Sequence, residues 1–244
     1  MIKHFTRTQI INEIKKAVKE SPYSCRWTGN GKAGNLLEEI LGITGGNHDV
    51  ADAVGFELKT SLSPNTPVTL FHKDPKPRGK RGTPGATALL VKNFGWPSIY
   101  KKTNEPVISF RATIFRTWKS THTNKELIIS ANNTKISLLH DGQEYAFWDT
   151  NELITIASSK LRNMMLVQAT EHNDGTISFT DASLLEQFQP LRFIQAIDEG
   201  NIAVDFDART NPGKTSIRNH GTKFRIREKD LPKIYYKITA FNNL

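Results

Sequence analysis

The residues best placed to do chemistry are Asp52, Glu57 and Lys59, in the run Asp52-Ala-Val-Gly-Phe-Glu57-Leu-Lys59. On a strand, successive side chains alternate faces, so Glu57 and Lys59 point one way while Phe56 and Leu58 point into the core. Asp52, just before the strand, can swing in beside Glu57. Two hard oxygen donors would then share a Mg²⁺, an ion that keeps several waters and takes only one or two carboxylates. Lys59 would stand next to a metal-bound water. This is the chemistry of metal-dependent phosphodiester hydrolysis. A Glu-x-Lys triplet alone is commonplace on exposed strand faces, so its meaning depends on what surrounds it. Here an acidic helix, Leu36-Leu-Glu38-Glu39, precedes it, with Asp52 fourteen positions after Glu38.

The elements that must hold these residues follow from periodicity. Ile10, Ile11, Ile14 and Val18 recur at helical spacing between Thr8 and Glu20, with lysines opposite, which predicts an amphipathic helix. A glycine-rich stretch, Gly29 to Gly34, leads into a second helix over Leu36 to Leu41. Val54 to Thr60 and Val68 to Lys73 read as strands flanking a turn at Ser63-Pro64-Asn65, a pair expected to begin the central sheet. Pro106 to Phe115, Lys125 to Ser130 and Lys135 to Leu139 read as a meander of strands, with Asn132-Asn133 as a hairpin turn. Thr150 to Lys160 reads as helix, Asn163 to Ala169 as strand, Leu184 to Glu199 as helix with a break at Pro190, and Ile202 to Phe206 as strand. The mixture predicts an α/β or α+β fold.

A second constellation is cationic. From Arg209 to Lys229 the chain carries Arg209, Lys214, Arg218, Lys223, Arg225, Arg227 and Lys229 against the single acid Glu228. In Lys223-Phe-Arg225-Ile-Arg227 basic and apolar residues alternate, so a strand there presents one cationic face. Such a face can position a duplex through phosphates or read guanine with an arginine, and it can equally be a solvated edge. The loop from Lys73 through Lys76, Arg78 and Lys80 to Arg81 is basic enough to clamp phosphates. His72 reads either as a base contact or as a structural histidine. Trp96, Trp118 and Trp148 read as core or lobe-interface residues rather than as stacking platforms.

Composition limits the partners. A formal net charge of +9 over 244 residues favours an acidic partner such as nucleic acid. The single Cys25 can form no disulfide within the chain and supplies no zinc cluster. No apolar run approaches a membrane span, and the N-terminal segment is not a signal-peptide core. The expectation is a soluble cytoplasmic protein.

Taken together, Glu38, Asp52, Glu57 and Lys59, the segment Val68-Thr-Leu-Phe-His72-Lys73 and the segment His220-Gly-Thr-Lys-Phe-Arg225-Ile226 resemble the PD-(D/E)xK nuclease superfamily. The closer resemblance is to its MutH-like branch, which holds the MvaI/BcnI restriction endonucleases. Ala51 replaces the proline that names the superfamily, which leaves Asp49 as a rival to Asp52. The resemblance implies one nuclease domain over residues 1–244, with a mixed central sheet flanked by helices and two lobes around a DNA cleft. The catalytic lobe would lie around residues 1–100 and the recognition segments around 200–230. It further implies that Asp52, Glu57 and the Leu58 carbonyl hold Mg²⁺, with Mn²⁺ as a substitute, and that Lys59 orients or deprotonates the attacking water. Glu38 would contact the lysine and that water. His72, Lys73, Lys76, Arg78, Arg209, Arg218, His220, Lys223, Arg225 and Arg227 would meet double-stranded DNA, Arg225 at the base-reading position.

The activity so implied is a type II restriction endonuclease that acts as a monomer. It would leave 5′-phosphates by two successive nicks, at a CC-x-GG type of site, in a prokaryote that also carries a cognate DNA methyltransferase. Three other readings compete: a MutH-like nicking enzyme, a DNA-binding module without hydrolysis, and an RNA-binding basic protein, though the last lacks any RNP-type aromatic motif.

Overall fold

Thr6 starts the first helix, Arg7–Lys19, with a capping box: its hydroxyl accepts from Gln9 N and the Gln9 side chain accepts from Thr6 N. Such a cap contributes about 1 kcal/mol. The helix buries Ile10, Ile14 and Ala17, the face its periodicity predicts. The computed structural model of the chain describes residues 5–29, 31–43, 55–63, 66–80 and 82–241. Asp49, Ala51, Asp52 and the turn at Pro64-Asn65 lie outside them.

The chain forms two units: Met1–Val68, Ile156–Pro190 and Arg227–Leu244 make the first, Thr69–Thr155 and Leu191–Ile226 the second. The first is built on a four-stranded mixed sheet in the order Glu57–Ser61, Asn163–Glu171, Ile177–Phe188, Tyr235–Phe241. Glu57–Ser61 runs parallel to Asn163–Glu171, with Glu57 opposite Met164 and Lys59 opposite Leu166. The remaining pairings are antiparallel. Phe56, Leu58, Met165, Val167 and Leu184 form one core with Ile10, Ile14, Leu36 and Leu37 of the helices Arg7–Lys19 and Lys32–Ile40.

The second unit holds a sheet in the order Val68–His72, Lys223–Ile226, Ile202–Thr210, Glu105–Ile114, Trp96–Tyr100, with Ile217–Asn219 also paired to Ile202–Thr210. Its other sheet is a meander of Thr117–Lys119, Glu126–Ala131, Lys135–His140 and Gln143–Asp149. Asn132 makes the predicted turn: its side-chain oxygen accepts from Thr134 N and Lys135 N, both at 2.9 Å.

Three sequence expectations are corrected. The strands at Glu57 and Val68 do not pair but belong to different sheets, the first taking its partner from Asn163–Glu171. The strand Glu105–Ile114 leaves the meander for the sheet of Ile202–Thr210. The residues Leu184 to Phe188, expected as helix, complete the strand Ile177–Phe188, and helix begins only at Pro190. Leu184 and Leu185, neighbours on opposite faces of the strand, are both buried, so at this point the two-residue alternation that marks a strand is missing. Among the described residues no helix is long and apolar enough to cross a membrane.

Candidate active site and nucleic-acid interface

The Glu57–Ser61 strand is at the edge of its sheet, and alternation divides its side chains as the sequence predicts. Phe56 and Leu58 enter the core with the two helices, while Glu57 and Lys59 share the opposite face. Lys59 Nζ lies 2.5 Å from Glu57 Oε1. The pair is unequal, for Glu57 is 2% exposed and the Lys59 side chain 22%. A carboxylate taken this far out of water is costly unless paired, and the ammonium offsets that cost.

Two neighbours shape the site. Gly55 adopts φ +92°, a conformation natural to glycine, and its carbonyl accepts a hydrogen bond from Asn163 Nδ2 at 3.0 Å. The approach to Glu57 is thus held in place. The Tyr235 hydroxyl, buried, donates to the Leu161 carbonyl at 2.9 Å. Burial first, and then the Glu57 charge, push the Tyr235 phenol well above its ordinary range, so it remains a neutral donor at working pH.

Glu38 is half-buried on the helix Lys32–Ile40, which packs on the Glu57–Ser61 strand. Its neighbour Glu39 turns outward and accepts from Trp27 Nε1 at 2.8 Å while pairing with Arg26 at 2.9 Å. Asp52, the expected second metal donor, is outside the described residues. Among the described residues no three His, Cys, Asp or Glu converge as a metal cluster. Glu57 nevertheless suits a Mg²⁺ site as a buried hard oxygen donor, since that ion needs only one or two carboxylates.

In the second unit, the strand Lys223–Ile226 buries Phe224 and Ile226 and turns Lys223 and Arg225 to the other face. Both cations approach Asp205 Oδ2, at 3.8 and 3.7 Å, and Thr113 donates to Asp205 Oδ1 at 2.6 Å. Arg111 pairs with Asp207 at 3.1 Å. Arg209 is 5% exposed, its guanidinium 3.8 Å over the Tyr100 ring and donating to the Thr210 carbonyl at 2.9 Å. Arg218 stands opposite it in the ladder and is exposed. His220 is exposed too, its N–H donating to the Asp207 carbonyl at 3.0 Å. Arg227 lies past the strand end and caps the short 3₁₀ helix Glu228–Lys233, so the alternating run stops at Ile226.

The His72–Arg78 segment is joined to residues 219–222 by one carboxylate. Asp74 Oδ1 accepts from Thr222 N and Asn219 Nδ2, each at 3.0 Å, and Oδ2 faces Arg78 at 3.4 Å. Gly221, at φ +83°, lies beneath the exposed His72 ring so closely that a Cβ there would stand 2.9 Å from Nδ1. Lys73 and Lys76 both pair with Glu152. Trp148 is a core residue, as expected, and Trp118 packs edge-on against buried Phe110. Trp96 is half-buried and stacks on His122.

Asp74, Glu152, Asp205 and Asp207 were not candidates from sequence. For the last two a signal existed: Asp205, Asp207 and Arg209 alternate with Val204, Phe206 and Ala208, the mark of a strand running past Phe206.

Comparison with known proteins places this geometry. The sequence profile of the MvaI/BcnI restriction endonuclease family matches residues 11–235. The chain belongs to that family. MvaI/BcnI membership makes it a site-specific deoxyribonuclease, a hydrolase. Its fold is that of the structure described as "Restriction endonuclease MvaI-cognate DNA substrate complex", at a TM-score of 0.78 and 20% identity over 97% of this chain and 99% of that one. The structure of restriction endonuclease MvaI in the absence of DNA also matches, at a TM-score of 0.53 and 20% identity over 98% of this chain and 99% of that one. No curated protein sequence matches the MvaI/BcnI chain described here.

Proposed function

We propose that the chain is a Mg²⁺-dependent type II restriction endonuclease that hydrolyses double-stranded DNA to leave 5′-phosphates, acting as a monomer by two successive nicks. The observation that carries the reading is the Glu57–Lys59 pair, a buried carboxylate held 2.5 Å from an ammonium on an edge strand. Asp52, Glu57 and the Leu58 carbonyl would hold the ion, with Mn²⁺ as a substitute. When bound it polarises the scissile phosphate and lowers the pKa of a coordinated water.

The remaining work belongs to side chains. Lys59, oriented by Glu57, directs its other N–H groups at the attacking water and at charge developing on the phosphate. Glu38 helps to hold that lysine and water. In the second unit Lys73, Lys76, Arg78, Arg218 and Lys223 contact phosphates, which positions the duplex without reading it. Arg225 grips guanine O6 and N7, with His72, Arg209, His220 and Arg227 as further DNA contacts. A cognate methyltransferase would protect the host's own sites.

Digestion of a plasmid of known sequence tests this, with Mg²⁺, with Mn²⁺ and with chelator. The expected result is metal-dependent cutting at one short GC-rich site, with 5′-phosphate ends and an open-circular intermediate that precedes the linear product. Cutting of one strand alone by the purified chain would replace the reading with a MutH-like nicking activity.

A further inference from the structure

Lys73 and Lys76 converge on one carboxylate. Lys73 Nζ meets Glu152 Oε1, and Lys76 Nζ meets Oε2 at 3.0 Å. Hydrogen bonds from Lys73 and then Lys76 draw the Glu152 carboxyl below its usual range. The backbone that carries these side chains is fixed by other means. Lys73 N donates to the Thr222 carbonyl at 2.9 Å, and its own carbonyl accepts from Trp148 Nε1 at 2.9 Å. Lys76 exchanges both backbone bonds with Phe147, at 2.8 and 3.0 Å. Glu152 stands in the first turn of the helix Thr150–Lys160, its N–H capped by Asp149 Oδ1 at 3.0 Å. Removing the carboxylate therefore releases two ammonium groups without loosening the chain beneath them.

A carboxylate with an ammonium on each oxygen presents what a phosphodiester presents: two terminal oxygens sharing one negative charge. We propose that Glu152 is a built-in competitor for DNA phosphate, seated between Lys73 and Lys76 in the free enzyme and displaced when a duplex takes those lysines. The inference rests on the reading of Lys73 and Lys76 as phosphate contacts. Its effect is to weaken attachment to any duplex and to reduce the counterions that these two lysines release on binding, since an internal anion already neutralises them. An enzyme that must search DNA, and let go between two nicks, gains faster release from such a residue.

Glu152→Gln is the test, with binding to a scrambled duplex measured across a salt series. The variant should bind about three- to tenfold more tightly, since two partly exposed ion pairs no longer oppose the phosphates. Its plot of log K against log salt should steepen by about 1 to 2, as two more cations release counterions. Steady-state turnover should slow while single-turnover cleavage stays unchanged. In a Lys73→Ala/Lys76→Ala background the Gln substitution should do nothing, as a double-mutant cycle requires. Glu152→Ala gives the same reading through a different side chain. Unchanged or weaker binding by Glu152→Gln would overturn the inference, because the carboxylate would then be organising the lysines rather than competing for them. If Lys73→Ala/Lys76→Ala binds as tightly as wild type, the phosphate assignment itself fails, and the inference with it.

Discussion

Glu57 and Lys59 share one face of one strand with their charged atoms 2.5 Å apart, yet the carboxylate is buried and the ammonium is partly open to water. The two halves of this ion pair are therefore not equivalent. Loss of the lysine leaves a buried charge without its ammonium, whereas neutralising the carboxylate leaves a lysine that can turn towards solvent.

Lys59→Ala should abolish metal-dependent cleavage, by at least about a hundredfold, while leaving DNA binding largely intact, since in the proposed function the lysine acts on water and developing charge. It should also cost about 3 kcal/mol of stability. Glu57→Gln should be equally inactive and clearly less destabilised. Cleavage assays paired with urea unfolding separate the two; equal stability losses would show that burial of Glu57 does not depend on Lys59.

Asp52→Ala should be inactive through loss of metal affinity, and Asp49→Ala comparatively mild. Calorimetric titration of each variant with Mn²⁺ in the absence of DNA reads affinity without relying on turnover. The opposite ranking would make Asp49 the ligand.

Arg225 sits 3.7 Å from Asp205 on the polar face of its strand. A bidentate arginine–guanine contact gives about 1 to 3 kcal/mol of discrimination, so Arg225→Ala should lose most specific binding and little non-specific binding. Lysine should not fully restore it, since an ammonium lacks the planar fork. Competition between cognate and scrambled duplexes at fixed salt is the measurement. Equal loss on both would make Arg225 a phosphate contact.

Asp74→Ala removes the acceptor of two hydrogen bonds to the 219–222 segment. Bonds to a charged group contribute about 1.5 to 3 kcal/mol each, with some recovered by water, so a net loss of about 2 to 3 kcal/mol is expected. The Thr222 amide should exchange with solvent much faster than in wild type. An unchanged Thr222 rate would mean that Asp74 is not what holds this segment.

The alkaline limb of stability should report Tyr235. Its folded pKa is raised, so the native state keeps a proton that the unfolded chain releases above about pH 10. The stabilisation is fully present below that pH and is lost as pH rises towards the folded value. Tyr235→Phe should flatten the limb while costing the hydrogen bond to Leu161. Thermal unfolding between pH 8 and 11 for both proteins checks this.

Much of the candidate site's geometry was legible because it is written locally. Alternation in Phe56-Glu57-Leu58-Lys59 and in Lys223-Phe-Arg225-Ile226 fixed which side chains share a face, and the Ile10/Ile14 spacing fixed the buried stripe of the first helix. Pairing is a different kind of information. Nothing near Glu57 specifies Met164 as its ladder neighbour, and nothing near Lys73 and Lys76 specifies Glu152. A single acid such as Asp74 carries no periodic signature and gains its role only when distant residues, Asn219 and Thr222, come within its hydrogen-bonding reach. The end of the strand Ile177–Phe188 reads as helix from Leu184 for a related reason: adjacent buried Leu184 and Leu185 interrupt the alternation that distinguishes a strand.

The chain passes between its two units four times, since Met1–Val68, Ile156–Pro190 and Arg227–Leu244 alternate with Thr69–Thr155 and Leu191–Ile226. No single cut through the gene separates the unit that holds Glu57 and Lys59 from the unit that holds the cationic sheet. The two units are not strung in tandem, so a single crossover could not exchange either of them whole. A change to the cationic face alone would have to come by substitution in place, within a sheet whose strands are drawn from separate stretches of the chain.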